Sequence, residues 1–441
     1  MPAAAPSSRV ADTSKPKAIP DRSLFLLLLS VILQLALGLL FGHLYDTRIF
    51  MATGYLVGSG QNPYIAQDLT AVFHNSSFQG MTTVGYPPPW PIVLGLLYRG
   101  VYTLIPNLLV YNLAIKLPVI AANIGLAYLV ANILKNLGSD AATCRRAWVF
   151  MLLNPLLLYF ASAWGQIDSI VTLLALASLV LLQREKPALA AVVLALALSL
   201  KPTPLPLVAV SLAYLAGQSV RQMIRFSALF LGGVLLFCVA PFVVLGWSPA
   251  PIVHSWNAHF TVGGGLSFMS FLEFLYDTYQ LSGNWWLLGL AWIPALAIGV
   301  LALKPGIHGF VDLLKKSTAL ILVFFLTRAW LSETNVILIL PFVLILTSIG
   351  ALDGLALAAV CIVPLVFTIF NASPPQLLFP SFPEAMGRML SLADGFRSAR
   401  LIARSALVVP WQIVGWWIVV ICFRRGKSAP GGSQHGRLPW R

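Results

Sequence analysis

Residues 24–41, LFLLLLSVILQLALGLLF, form an apolar run without a charged side chain. A helix that crosses the hydrocarbon core of a bilayer needs roughly 20 predominantly apolar residues. Comparable segments recur along the 441-residue chain, which is 59% hydrophobic and only 10% charged. Because soluble domains carry about 25% charged residues, this pattern predicts an all-α polytopic membrane protein.

About a dozen segments are long or apolar enough to be membrane helices. They lie near 24–43, 109–134, 147–160, 167–183, 187–200, 203–217, 226–246, 284–303, 317–330, 335–350, 355–371 and 406–423. Together they predict one transmembrane domain over residues 24–423, with cytoplasmic tails at 1–23 and 424–441.

The basic residues lie in short clusters between the apolar segments, which indicates topology signals and disfavours nucleic acid as a partner. With the N-terminal tail in the cytoplasm, alternation places most of the 28 Lys and Arg residues on that side. This orientation requires that residues 86–104, YPPPWPIVLGLLYRGVYTL, do not cross the membrane. Their prolines and Arg99 favour a re-entrant or interfacial helix.

Three longer loops then face outward, at about 44–88, 247–283 and 372–405, and we expect the first to carry juxtamembrane helices. Long irregular segments on one face favour chemistry on that face. The third loop departs from the charge bias because it holds four arginines. These are Arg388, Arg397, Arg400 and Arg404. An interfacial amphipathic helix and a miscounted helix pair would both explain them.

Ionisable residues at the outer ends of apolar segments are functional candidates, because they are costly to keep there. Asp46, directly after the first helix, is a candidate general base; a helix-boundary role or a salt bridge to Arg48 is the alternative. Lys201 lies where a run of prolines breaks a helical hairpin. It could bind a lipid phosphate or simply extend toward the membrane surface.

Two tight outer segments hold further candidates. WGQID, at Trp164–Asp168, contributes Gln166 and Asp168, although an aspartate at a helix start also has a purely structural explanation. RAWLSETN contributes Arg328 and Glu333, which could pair with each other, or Arg328 could clamp a phosphate.

The second long loop contributes His254, His259 and the triplet Gly263–Gly265, and a glycine-bearing loop can close over a substrate. The two histidines are too loosely spaced for a metal site. The four cysteines form no CxxC pair, which favours packing roles. The chain also lacks a Walker loop, a GxGxxG, an HExxH and an Asp-x-Asp, so we expect neither a cofactor nor a metal.

An ordered set of segments resembles the GT-C glycosyltransferases that take sugars from polyprenyl phosphates. The segments are Asp46 with GQNPY (Gly60–Tyr64), GYPPPW (Gly85–Trp90), KLPVIAANIGLAYL (Lys116–Leu129), NPLLLYFASAWGQIDSI (Asn154–Ile170) and the LSLKPTPLPL hairpin, with a weaker echo in RAWLSETN. The superfamily includes dolichyl-phosphate-glucose glucosyltransferases, glycosylphosphatidylinositol mannosyltransferases and mycobacterial phosphatidylinositol-mannoside mannosyltransferases. No single segment is specific.

The resemblance implies a GT-C-like fold with Asp46 as catalytic base and Lys201 near the donor phosphate. It also makes Tyr86, Gln166, Asp168, Arg328, Glu333 and the two loop histidines candidate substrate-binding residues. Relatives often have an acidic residue where this chain has Asn123, which leaves the role of that segment open.

The expected reaction is inverting transfer of a hexose, mannose before glucose, from a polyprenyl or dolichyl phosphate to a glycolipid or lipid-linked oligosaccharide. The site would face outward from a plasma membrane in a prokaryote, or into the lumen from an endoplasmic reticulum membrane in a eukaryote. Membrane lipids would be the other partners. A transporter or lipid flippase, which would show matching inverted halves, and a lipid-linked oligosaccharide ligase or polymerase are the alternatives.

Overall fold

The computed structural model describes residues 21–81, 84–253, 262–280, 285–304, 306–371 and 373–424. The structure is 77% helical and has almost no sheet. The all-α class predicted from the sequence is therefore confirmed. Helices suit so apolar a chain because they satisfy the backbone hydrogen bonds within each segment.

Nineteen α-helices and four short strands make up the regular structure of the described residues. The α-helices are α1 (Asp21–Leu40), α2 (Leu44–Gly58), α3 (Thr70–Phe73), α4 (Pro89–Leu97), α5 (Leu108–Asn136), α6 (Ala141–Leu152), α7 (Asp168–Gln183), α8 (Pro187–Leu200), α9 (Pro206–Ala216), α10 (Val220–Val234), α11 (Ala240–Val244), α12 (Phe268–Tyr279), α13 (Trp292–Leu301), α14 (Gly309–Thr327), α15 (Leu340–Ser348), α16 (Gly354–Phe370), α17 (Ser373–Gln376), α18 (Pro383–Gly395) and α19 (Arg397–Phe423). The strands are β1 (Phe41–Gly42), β2 (Gly264–Gly265), β3 (Trp330–Leu331) and β4 (Phe379–Pro380), with β1 antiparallel to β4 and β2 parallel to β3.

Within the described residues, four helical segments are long and apolar enough to cross a membrane: Ser23–Leu40, Leu108–Asn136, Val220–Val244 and Arg397–Phe423. A fifth would be the pair Ala141–Leu152 and Leu157–Ala163, which is bent by 44°. The other apolar helices are shorter, at 10–17 residues. These helices are compatible with a membrane protein, whereas the arrangement of about a dozen spans stays a prediction.

One predicted helix is confirmed at both ends, because the segment predicted at 187–200 is α8. The predicted outer loop at 372–405 contains α18 and the first residues of α19, which begins at Arg397. That this loop faces outward stays a prediction. Arg400, in the first turn of α19, donates hydrogen bonds to the carbonyls of Phe370 and Ala393. Before it lies α18, and the interfacial helix that the sequence allowed stays a prediction.

The segment predicted as the first outer loop contains α2, which packs closely on α4, and its juxtamembrane position stays a prediction. A Cβ on Gly54 of α2 would lie 2.8 Å from the carbonyl oxygen of Leu94 in α4, so glycine permits this approach. The segment 86–104 contains only α4 and a π-helical turn, Tyr98–Tyr102, and it is not among the candidate spans.

Four helix ends meet at one end of the helical core. Asp46 lies in the first turn of α2 and Asp168 in the first turn of α7. Lys201 is the residue after α8, and Arg328 is the residue after α14. The helix stops before Lys201 because proline lacks the backbone donor and disfavours helix in the residue that precedes it. These interrupted helices bring ionisable groups together.

Candidate functional site

The helix ends surround a cavity of about 1030 Å³. This volume lies at the upper end of the range of about 300–1,000 Å³ that is usual for ligand pockets. Six of the residues that the sequence and the resemblance make candidates for catalysis or substrate binding line it, and they are Asp46, Tyr86, Gln166, Lys201, Arg328 and Glu333. Asp168 lies behind the cavity wall and is only 1% exposed.

The Asp46 carboxylate is held through one of its two oxygens. Trp164 donates its indole N–H to Oδ2 at 2.6 Å, and His43 Nδ1 lies 3.2 Å from the same oxygen, at ion-pair distance but without hydrogen-bond alignment. The rings of His43 and Trp164 stack, with centroids 3.9 Å apart and planes within 6°. Among the described residues, no hydrogen bond reaches Oδ1, which leaves that oxygen available to a ligand.

The surroundings of Asp46 favour its ionised form. Burial acts to raise the pKa of the carboxyl, but the contacts with His43 and Trp164 and the charge of Lys201 outweigh burial, so that the pKa is lowered. The suggested salt bridge to Arg48 is wrong. Arg48 donates instead to the carbonyl oxygens of Leu44 and Ser77.

Lys201 forms a buried ion pair with Asp168. Its Nζ donates to both carboxylate oxygens, at 2.9 and 2.7 Å, and the two side chains are 12% and 1% exposed. The Lys201 ammonium is therefore held inside the protein by this pair. An ammonium has three donors, and the pair uses two, so a third is available to the cavity. The same Nζ lies 5.8 Å from the centre of the Tyr86 ring.

Tyr86 is fixed through both its side chain and its backbone. Its hydroxyl donates to Gln166 Oε1 at 2.9 Å, and its carbonyl accepts from the Tyr64 hydroxyl at 3.0 Å. Burial, followed by the charges of Asp46 and Asp168, raises the pKa of the Tyr86 phenol well above its ordinary value. Tyr86 is thus a neutral hydroxyl at the cavity wall.

Arg328 has no ion-pair partner among the described residues. Its guanidinium lies 5.0 Å from the centre of the Phe324 ring, and its Nη1 is buried without a hydrogen-bond partner. The possible pair between Arg328 and Glu333 is not formed. A buried, unsatisfied guanidinium on a cavity wall is suited to an anionic ligand, because such a ligand restores the missing hydrogen bonds.

Glu333 occupies a different environment in the same cavity. Its Oε1 accepts hydrogen bonds from Asn371 at 3.1 Å and from Ser373 at 3.5 Å, and the residue is 3% exposed. Burial raises the pKa of this carboxyl above its ordinary value. Arg404 donates to the Asn371 side-chain oxygen at 3.0 Å and also lines the cavity.

Sequence reasoning missed several of these groups. His43 and Trp164 stood beside recognised candidates, but their contact joins residues that are far apart in the chain. Arg404 did leave a signal, because it is one of the four arginines that depart from the charge bias. In the structure it faces a cavity as part of α19.

The glycine triplet lies against the Arg328 segment. Strand β2 at Gly264–Gly265 pairs with β3 at Trp330–Leu331, and all three glycines line the cavity. Gly265 has a φ of +60°, in the left-handed region, where glycine is favoured. His254 and His259, the other candidates from this loop, lie outside the described residues.

No group of three or more His, Cys, Asp or Glu side chains that could hold a metal ion occurs within the part of the chain that the structure describes. No protein-family model matches the chain, and no curated protein sequence matches it significantly. The chemistry of the cavity is therefore argued from its own residues.

Proposed function

We propose that the cavity is the active site of an inverting glycosyltransferase. The protein would transfer a hexose from a polyprenyl or dolichyl-type phosphate to a hydroxyl of a glycolipid or lipid-linked glycan. The observation that carries this proposal is the presence of an ionised carboxylate, Asp46, and two cationic groups, Lys201 and Arg328, on the wall of one cavity.

The proposed reaction breaks one bond and forms another at the anomeric carbon. The acceptor oxygen attacks that carbon, its proton passes to Asp46, and the bond between the carbon and the phosphate oxygen breaks with its electron pair on the lipid phosphate. Attack opposite the departing phosphate inverts the configuration. An alcohol is a weak nucleophile until its proton is accepted, and this is the task assigned to Asp46.

The contacts of Asp46 support its role as base. Trp164 and His43 both lie against Oδ2, so the acceptor hydroxyl would meet Oδ1. The lowered pKa keeps the carboxylate ionised at neutral pH. A carboxylate held by a neighbouring donor is also oriented before the substrate arrives, which favours proton transfer.

The two cations would bind the phosphate as negative charge develops on it. Arg328 is suited to this role because its Nη1 has no hydrogen-bond partner among the described residues. Lys201 is kept in place by Asp168 and retains one donor. Preorganised cations in a site sheltered from water stabilise developing charge strongly. We place the reaction on the outer face of the membrane, as the charge bias of the sequence indicates.

The test is hexose transfer by the purified protein in nanodiscs, supplied with radiolabelled polyprenyl phosphate mannose or glucose and a glycolipid acceptor extract. We expect transfer by the wild type, faster with mannose, and none above background with Asp46→Asn. Asp353→Asn is the matched control, because Asp353 caps α16 away from the cavity and Asn caps a helix equally well. Donor binding without transfer by the wild type would contradict the proposal and favour a transporter. Use of diphosphate-linked donors alone would favour an oligosaccharide ligase.

A further inference from the structure

A second buried lysine lies behind the cavity. Lys116, on α5, is 1% exposed and does not line the cavity. Within the described residues it has no carboxylate at ion-pair distance. A buried amino group without hydrogen-bond partners is costly, so the contacts of Lys116 indicate why the molecule keeps this side chain.

The Lys116 ammonium binds three backbone carbonyl oxygens from two parts of the chain. It donates to the carbonyl of Gly38 near the end of α1 at 3.4 Å, to that of Phe41 in β1, and to that of Ala163 at 2.7 Å. Asn112, one helical turn earlier on α5, donates to the Gly38 and Phe41 carbonyls as well, each at 2.8 Å. These two side chains satisfy carbonyls that a helix end leaves without intrahelical partners.

The carbonyls that Lys116 binds lie next to the two side chains that hold Asp46. Phe41 is followed by Gly42 and then by His43, and Ala163 is followed directly by Trp164. The two segments approach Asp46 from different elements, and Lys116 joins them. A displacement of either segment would move a partner of the Asp46 carboxylate.

The stem of Lys116 also defines the position of Gly165. Gly165 has a φ of +95°, and a Cβ there would lie 2.9 Å from Lys116 Cε. Gly165 stands between Trp164, which donates to Asp46, and Gln166, which accepts from Tyr86. The same lysine therefore supports two neighbouring residues of the cavity wall.

We infer that Lys116 is a positioning residue for the Asp46 carboxylate, acting through the His43 and Trp164 segments whose carbonyls it joins. The inference rests on the proposed function for the role of Asp46, but the joining contacts do not depend on it. Lys116 would alter the rate of the chemical step and leave donor binding to Lys201 and Arg328.

The test compares Lys116→Met with Lys316→Met. Lys316 is a buried lysine on α14, 9% exposed. It donates to the Cys422 carbonyl at 3.4 Å, and it lies away from the cavity. Methionine keeps the length of the stem and removes the charge in both variants. We expect Lys116→Met to lower kcat by about 10²-fold, the effect of a misplacement of about 1 Å, with the donor KM changed less than about threefold. Lys316→Met should keep both constants.

A second measurement reports the protonation of the Asp46 carboxyl directly and does not require that the protein transfers sugar. Infrared difference spectra, with the Asp46 band assigned through Asp46→Asn, report the pH at which this carboxyl titrates. His43 and Trp164 lower the pKa of Asp46, so their displacement in Lys116→Met should move the titration to higher pH. Lys201, Glu333 and Tyr86 also act on Asp46, and all three are unchanged in this variant.

The outcomes separate the two proposals. A shifted Asp46 titration in Lys116→Met would support positioning even if the wild type transferred no sugar, a result that would overturn the proposed function alone. An unshifted titration and a kcat equal to that of Lys316→Met would overturn positioning. If Lys116→Met does not fold, Asn112→Ala replaces it, because this change removes the companion donor to the same two carbonyls. In Asn112→Ala we expect the Asp46 titration to move to higher pH by less than in Lys116→Met. An unshifted Asp46 titration would overturn the inference.

Discussion

Asp46 and Glu333 are two carboxyl groups on the wall of one cavity, and their surroundings differ. Asp46 lies against His43 and the indole N–H of Trp164, and these contacts with the charge of Lys201 outweigh burial and lower its pKa. Glu333 is bonded to the neutral side chains of Asn371 and Ser373, and burial raises its pKa.

The difference assigns separate tasks to the two groups. Where the environments of two titratable groups shift their pKa values in opposite directions, one is suited to act as a base and the other as a neutral hydrogen-bonding group. Under the proposed function, Asp46 would accept the proton and Glu333 would orient a sugar hydroxyl. Residue type alone does not distinguish them, since both are carboxylic acids.

The largest effect is expected when the base itself is removed. Asp46→Asn keeps the shape of the side chain and its hydrogen bond with Trp164 but cannot accept a proton. Loss of a general base costs about 10²–10⁴-fold in rate, and we expect hexose transfer to fall by that factor while donor binding persists. Single-turnover transfer and donor binding by the purified variant measure the two effects separately.

The matched change is Glu333→Gln, which resembles a neutral carboxyl group. It should lower transfer much less, by under about tenfold, the value of one neutral hydrogen bond. Equal losses of hexose transfer in Asp46→Asn and Glu333→Gln would contradict the separate roles of the two carboxyl groups.

The cations near Asp46 should contribute the next largest effect. Arg328→Gln removes the guanidinium that lacks an ion-pair partner among the described residues. A hydrogen bond to a charged group contributes about 1.5–3 kcal/mol, so we expect kcat/KM for the donor to fall by about 10–150-fold. Arg404→Gln, on the Glu333 side, is the comparison and should affect donor use less. A larger loss of donor kcat/KM in Arg404→Gln than in Arg328→Gln would place the phosphate beside Arg404.

Lys201 needs a paired change, because Asp168 would otherwise keep an uncompensated buried charge. Lys201→Met alone should lower both stability and donor use. Lys201→Met combined with Asp168→Asn should recover stability, measured by thermal unfolding, without recovering donor use. Full recovery of turnover in the double variant would show that the pair between Lys201 and Asp168 has only a structural role.

The smallest expected effect is on the pH dependence of stability. The folded pKa of Glu333 is raised, so its contribution is fully present below the unfolded pKa and is lost as pH rises through the folded value. Glu333→Gln should therefore be relatively more stable than the wild type at neutral pH, and this advantage should vanish in acid. Tm measured from pH 4 to pH 8 tests this sign. For Asp46 the sign is opposite, because its lowered pKa contributes stability that is lost as pH falls.

The sequence drew attention to six residues that line the cavity, because charged and polar residues at the ends of apolar segments stand out. Asp46, Lys201 and Arg328 were recognised in this way, and each lies at a helix end. Their contacts could not be predicted. The bond between Trp164 and Asp46 joins residues 118 positions apart, and its geometry depends on how α2 packs against the end of the π-helical segment Leu157–Ala163.

The bounds of the helices were also predicted with different accuracy in different parts of the chain. Apolar periodicity located α8 to the residue, since prolines mark both of its ends. The segment predicted at 406–423 starts later than α19, which begins at Arg397, and the arginines before it were explained as an interfacial helix or a miscounted helix pair. The hydrogen bonds of Arg400 to the carbonyls of Phe370 and Ala393 are contacts that the pattern of residues does not reveal.

Chemical rescue of Asp46→Ala tests the central claim most directly. The alanine removes the carboxylate and leaves space beside Trp164, into which formate can diffuse. We expect hexose transfer by Asp46→Ala to be at least about 10²-fold slower than in the wild type and to recover in part with formate, but not with chloride at the same ionic strength. Transfer by Asp46→Ala at the wild-type rate without formate would contradict the assignment of Asp46 as the base.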